Sequence, residues 1–345
     1  MRLIASAVAL VVVVVLAAVL GARAWHAAHR SDLQRALALA PKDAARYSWT
    51  DWAGVRTALG VSGTGDAADQ TLLDKGYDAD LTAGSSVTTS VDTLRTAFGF
   101  TPATMSWELL TQSTSGAALL IRVEDSVSFD AIRSHLQDAG FTGPDDGVWD
   151  GSAATGTGAV PILGFVALDE SDHLVLTSDA SGFLADVVDH LGDGDVPTPI
   201  AQVADAVGSP LSAELYDSDY TCSHLAMANA DDTDQAQGDQ LIAEAGEVNP
   251  VLGFAMARQR TNDGKPGSVR VALAFADHDQ AVVNATTRAK LASGDAPGQG
   301  GTFTDRFRLG TVAARGSVVT MDLHPVDDSP VLSDLSTGPL LFATC

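Results

Sequence analysis

Basic residues are scarce in this chain. Twenty Lys and Arg stand against 44 Asp and Glu, a net charge of −24. Arg2, Arg23 and Arg30 lie in the first thirty residues, where there is no acid, so the remainder carries −27. A basic site on such a surface would act against the field of the whole domain. Nucleic acid is therefore excluded as a partner, and the acidity is expected to serve solubility.

Catalytic templates are missing as well. There is no His-Glu-x-x-His helix for zinc, no Gly-x-x-x-x-Gly-Lys loop for phosphate and no Gly-x-Ser-x-Gly nucleophile turn. Gly60-Val-Ser62-Gly63 lacks the spacing for the last, and Gly156-Thr-Gly158 is too short for a dinucleotide fingerprint. The densest acids, Asp231, Asp232 and Asp234 with Asp239 and Glu244, fail as a calcium loop. Counted from Asp232, Ala236, Gln237 and Ala243 occupy positions that require an oxygen ligand, Gly and Glu. Asp217, Asp219 and His224 are read as surface groups, as are His173, His278 and His324. The expectation is no catalytic residue, no metal ligand and no cofactor.

Cysteine is nearly absent. Cys222 and Cys345 are the only two, so one intramolecular pairing exists, and an exported chain is expected to form it. The alternatives are two unpaired thiols or a covalent dimer. The placement expected is Cys222 in a strand, with Leu340–Cys345 as an apolar tail added to the same sheet. No Cys follows the apolar N-terminal run, which excludes lipid attachment there.

Long apolar runs are also lacking, with one exception. Leu3 to Leu20 carries no charge and would rise about 27 Å as a helix, near the thickness of a hydrocarbon core. Residues 1–30 are read as a transmembrane signal anchor and its flank, with the bulk extracytoplasmic. The alternative is secretion after cleavage at Ala24.

Beyond the anchor, residues 31–40 read as a juxtamembrane helix capped by Ser31 or Asp32 and ended by Pro41. Residues 41–207 and 208–345 read as two α+β modules, each with an antiparallel sheet covered by helices on one face. Strands are expected at Arg46–Thr50, Met105–Gln112, Ala117–Val123, Ile162–Leu168 and His173–Thr177, with helices at Asp51–Leu59, Ser90–Phe98, Ser128–Ala139 and Gly182–Leu191. Val61–Ser86 reads as a loop carrying a short helix at Gln70–Lys75. The second module is expected to hold strands at Leu211–Tyr216, Tyr220–Met227, Gly253–Arg260, Ser268–Phe275, Phe303–Leu309 and Ser317–Leu323. Its helices fall at Thr233–Ala245, Asp277–Leu291 and Pro330–Leu335. Leu119–Asp125 with the Phe129 helix corresponds to Val269–Asp277 with the Ala281 helix, and His173–Asp179 to Ser317–Asp322. That repeated order is the trace expected of a duplicated module. Trp49 and Trp52 read as core residues in preference to a stacking site for ligand.

Leu39-Ala-Pro41-Lys-Asp43-Ala-Ala-Arg-Tyr-Ser-Trp-Thr-Asp-Trp52, following the apolar run, resembles the start of uncharacterised membrane-anchored extracytoplasmic proteins of actinobacteria. The scarcity of Lys, four of the twenty bases, and the abundance of Ala and Gly fit the same group. The resemblance implies location and carries no activity. The expected function is a non-catalytic binding or interaction protein of the cell envelope, tethered to the membrane. A carrier of a lipid or small envelope ligand between the two modules is the first alternative, and an envelope hydrolase with an unrecognised site is the second.

Overall fold

The computed structural model describes residues 30–154, 160–192 and 196–345. The expected anchor, the cleavage point at Ala24 and the Gly156–Gly158 stretch lie outside those residues. No helix among the described residues is long and apolar enough to cross a membrane.

Alternating apolar stretches pair into one antiparallel sheet of twelve strands. They are β1 (Arg46–Thr50), β2 (Met105–Gln112), β3 (Ala117–Val123), β4 (Thr142–Asp145), β5 (Val148–Asp150), β6 (Phe165–Asp169), β7 (Leu174–Ser178), β8 (Ser212–Asp217), β9 (Gly253–Arg260), β10 (Pro266–Ala274), β11 (Phe307–Arg315) and β12 (Val318–Pro325). Their spatial order is β11-β12-β10-β9-β8-β1-β2-β3-β7-β6-β5-β4. The α+β class holds, but two separate sheets are not found. β1 pairs with β8 through Arg46↔Tyr216, Ser48↔Glu214 and Thr50↔Ser212, and this ladder makes the sheet continuous. Counted outward from that ladder, β1, β2, β3, β7, β6 on one side and β8, β9, β10, β12, β11 on the other follow the same order of hairpins.

Helices cover both faces, not one. On the first face lie α1 (Asp32–Leu37), α5 (Ser181–Asp189) and α6 (Thr198–Val207). Ser31 caps α1 with a reciprocal bond from Gln34, as the sequence pattern requires. α6, which the sequence reading assigns to the first module, instead packs on β8, β9 and β10. Its close approach is possible because Ala213, Ala255, Ala257, Ala272 and Ala274 floor that part of the core, and because Gly253 leaves room for the backbone of Pro199. Next to it Trp49 and Trp107 meet with ring centroids 5.4 Å apart. This core runs unbroken beneath all three helices.

The second face carries α2 (Trp52–Leu59), α3 (Asp66–Asp78), α4 (Phe129–Ala139), α7 (Asp232–Ala245), α8 (His278–Leu291) and α9 (Val331–Ser336). Its apolar residues divide into two clusters. One gathers Leu119, Ile121 and Phe98 under α2 to α4, and the other gathers Met256, Val271 and Phe303 under α7 to α9.

Three local expectations are corrected. Tyr220–Leu225 is helical and Ala226 ends it in an extended conformation: Asp217 accepts a bond from the Tyr220 N–H, and Tyr220 and His224, four residues apart, stack at 4.6 Å across one turn. The residues after Leu340 form a short turn at Leu341–Ala343, not a strand. Their carbonyls are claimed by buried Arg288, which donates to Phe342 O at 3.2 Å and to Thr344 O, and which also holds Asn249 O at 2.7 Å. Third, Phe303–Asp305 is a turn closed by Thr302 and Asp305, which displaces the following strand to Phe307–Arg315.

Candidate functional site

Where β1 meets β8, the second face of the sheet becomes polar. Inward alternation puts Ser48 and Thr50 of β1 on the same side as Glu108 of β2, Ser212, Glu214 and Tyr216 of β8, and Arg258 of β9. The register aligns Glu108, Thr50, Ser212 and Arg258 in one row across four strands. Ser48, Thr50, Glu108, Ser212 and Glu214 are all buried. This row separates the two apolar clusters of that face.

Each carboxylate is held by donors from a different part of the chain. Glu108 accepts from Trp52 Nε1 at 3.2 Å and from the Ser86 N–H at 2.9 Å. Glu214 accepts from Ser48 Oγ at 2.7 Å and from the Tyr216 hydroxyl at 3.3 Å, with Arg46 Nη2 at 3.6 Å. The segment around Gly84 to Ser86 closes over both, and a Cβ at Gly84 would collide with Glu214 Oε1. Burial raises both carboxyl groups to about 7, although these donors and Arg46 act in the opposite direction. Thr50 Oγ1, Ser212 Oγ, Arg258 Nε and Arg258 Nη1 are buried and find no hydrogen-bond partner among the described residues. The row can store protons near neutral pH. It offers no solvent path to a substrate, because Glu108 and Glu214 are at most 2 % exposed.

Two further contacts tie the halves across the same face. Asp51, which caps α2 through the Gly54 N–H, also accepts from Arg260 of β9 at 2.8 Å. Asp80, at φ 56, accepts from the Leu332 N–H at 2.6 Å and the Ser333 N–H at 3.0 Å, so a side chain of the first half caps α9 of the second.

Cys222 and Cys345 are brought together as a disulfide with Cα atoms 5.7 Å apart. Cys222 sits on a helical turn, not in a strand. Asp231 caps α7 through the N–H groups of Thr233 and Asp234. Among the described residues no group of three or more His, Cys, Asp or Glu is arranged to hold a metal ion. His278 Nδ1 lies 2.9 Å from Gly316 O, and His173 packs edge-on against Phe129. Ser223 Oγ lies 2.6 Å from His224 Nδ1. That pair is local, and among the described residues no carboxylate bonds to the His224 ring to orient it. Trp49 and Trp52 are both core residues.

Sequence reasoning missed the buried carboxylates Glu108 and Glu214. Parity misleads at both positions: Glu108 shares its phase with Ser106, Leu110 and Gln112, and Glu214 with Ser212 and Tyr216, a pattern that reads as the solvent side of each strand. A surface cleft was also missed. It measures about 290 Å³ and is lined by Leu39, Pro41, Ser115, Phe183, Val187 and His190.

No family model matches the chain, and no curated protein matches it. Among solved structures it is similar to three crystal forms of TP0453. Form I has a TM-score of 0.41 and 7% identity and covers 89% of this chain and 97% of that one. Form III has 0.41 and 7%, covering 88% and 98%. Form IV has 0.42 and 9%, covering 87% and 96%. A likeness of that size transfers no function.

Proposed function

We propose that this chain is a non-catalytic binding protein of the cell envelope, tethered by its N-terminal apolar run with residues 30–345 on the extracytoplasmic side. The observation that carries this reading is the Cys222–Cys345 disulfide, which spans 123 residues and belongs to an oxidising compartment. The N-terminal resemblance to membrane-anchored actinobacterial proteins supports the same location. Against a catalytic role stand the enclosure of Glu108 and Glu214 and the lack, among the described residues, of a carboxylate bonded to the His224 ring of the Ser223–His224 pair. The shared order of strands outward from the β1–β8 ladder supports descent of the two halves from one duplicated α+β module.

A carrier role between the halves has less support, because the junction is filled by the row and the Gly84 segment. The surface cleft beside Leu39 and Phe183 is at the lower limit of ligand-pocket size.

Protease added to intact cells should digest the chain, and peptides prepared without reductant should retain the Cys222–Cys345 link. Protection until lysis, or two alkylatable thiols in the native protein, would overturn the location.

A further inference from the structure

The two ends of the sheet are finished differently. On one side β6 is covered by β5 through Val148↔Ala167 and Trp149↔Val166, and β5 in turn by β4. The outermost strand there is four residues long and contains Pro144, the kind of edge that refuses further pairing. At the matching place in the other half, β11 is the last strand of the sheet. It runs for nine residues and contains no Pro, Asp or Glu. One irregularity, between Leu309 and Val312, interrupts its pairing with β12.

Side chains on both faces of β11 point to what would fit beside it. Register against Leu323, Met321 and Val319 puts Leu309, Val312 and Ala314 on the side of α8. These three pack on the core there but stay half-buried, whereas Val166 and Ala167 on the covered strand β6 are buried. α8 packs over β11 and carries Val282 and Val283, 49% and 38% exposed. On the opposite face β11 presents Arg308 and Arg315. Both are exposed, and among the described residues neither makes an ion pair, in a chain of net charge −24. His324 is the register partner of Arg308 and adds to the same face.

We propose that the outer edge of β11 is a strand-addition site for an extended segment of a partner protein in which apolar and acidic residues alternate. Main-chain bonds to the free edge supply the register. The apolar residues extend the core over Leu309, Val312 and Ala314, while the acidic ones meet Arg308 and Arg315. A second copy of this chain fits poorly, because antiparallel pairing of β11 with itself places arginine ends together between two bodies of high negative charge. The proposal names the partner class for the binding role inferred above and rests on that role.

The test is titration of the purified full chain with a peptide of alternating Val and Glu as long as β11, read by anisotropy and by hydrogen exchange. Saturable binding that slows exchange in residues 307–315 and weakens with salt is expected. Arg308→Glu with Arg315→Glu should weaken it by about tenfold, as should Lys in place of Glu in the peptide. No binding, binding indifferent to either charge reversal, protection elsewhere, or protection of β11 by self-association without peptide would each overturn the proposal. Binding by the purified chain does not depend on cellular location, so failure here leaves the export result standing, and the converse also holds.

Discussion

At the joint between β1 and β8 the two faces of the sheet have opposite chemistry. One face is sealed by Tyr47, Trp49, Trp107, Ala213 and Leu215 into a core that ignores the joint. The other interrupts its core with Ser48, Thr50, Glu108, Ser212 and Glu214. The apolar face supplies adhesion, which has no preferred register. The polar face supplies direction, because the Ser48–Glu214 and Trp52–Glu108 bonds form in one alignment only. A strand slipped by one residue would exchange the two sets and bury carboxylates against tryptophan.

The largest expected effect lies on the apolar face. Trp49→Ala should cost about 3–5 kcal/mol by cavity formation and lost packing with Trp107, read as a lower denaturant midpoint with unchanged slope. A loss under about 1 kcal/mol would mean the face does not fuse the halves.

The polar face should reveal itself through pH. Glu108 and Glu214 are raised in the folded chain from 4.5 to about 7, so the folded state keeps protons that the unfolded state has released. Their contribution is full below about pH 4.5 and is lost as pH rises through 7, up to about 3 kcal/mol per carboxyl. Thermal midpoints should therefore fall between pH 5 and pH 8, by the usual linkage, and Glu108→Gln with Glu214→Gln should flatten the fall. A midpoint rising over that interval would contradict the assignment.

Gly84→Ala is expected to cost about 1–3 kcal/mol, because the added methyl meets the Glu214 carboxylate. Crystallographic displacement of residues near 84 should accompany the loss, and an unmoved segment would show the contact to be slack. The smallest effect is Thr50→Val. Its hydroxyl has no partner among the described residues, so the exchange should lie within about 1 kcal/mol of neutral, and a larger loss would place a bound water there.

Much of this architecture was legible. The strands at Met105–Gln112 and Gly253–Arg260 followed from alternation alone, and α4 followed from Ser128 and Gly140, which cap it in the structure. The element order outward from the joint was present as a repeated pattern. Three features were illegible for physical reasons. β4 and β5 are short, with Gly143 and Pro144 inside β4 and Gly147 in the turn between them, so turn chemistry hid their pairing. The π-type turn at Thr221–Leu225 looked like a strand because Tyr220 before it and Thr221 within it are residue types also common in strands. The merging of two sheets into one depends on the β1–β8 ladder, whose partners are 162 to 170 residues apart and whose pairing leaves no local mark. Cys222 with Cys345 was found by elimination, yet the elements carrying them were misplaced, since pairing constrains distance and not secondary structure.

The central ladder has a consequence for the order of events during folding. β1 emerges early and must wait for β8, and until then each half ends in an open edge whose natural partner is the other half. That partner need not come from the same chain. Two copies refolding together at high concentration can each accept the other's β8 on β1, giving an intertwined dimer that contains every native contact. Slow dilution favours the closed single chain, and cellular handling of the newly made protein must keep the β1 edge from its neighbours for as long as β8 is missing.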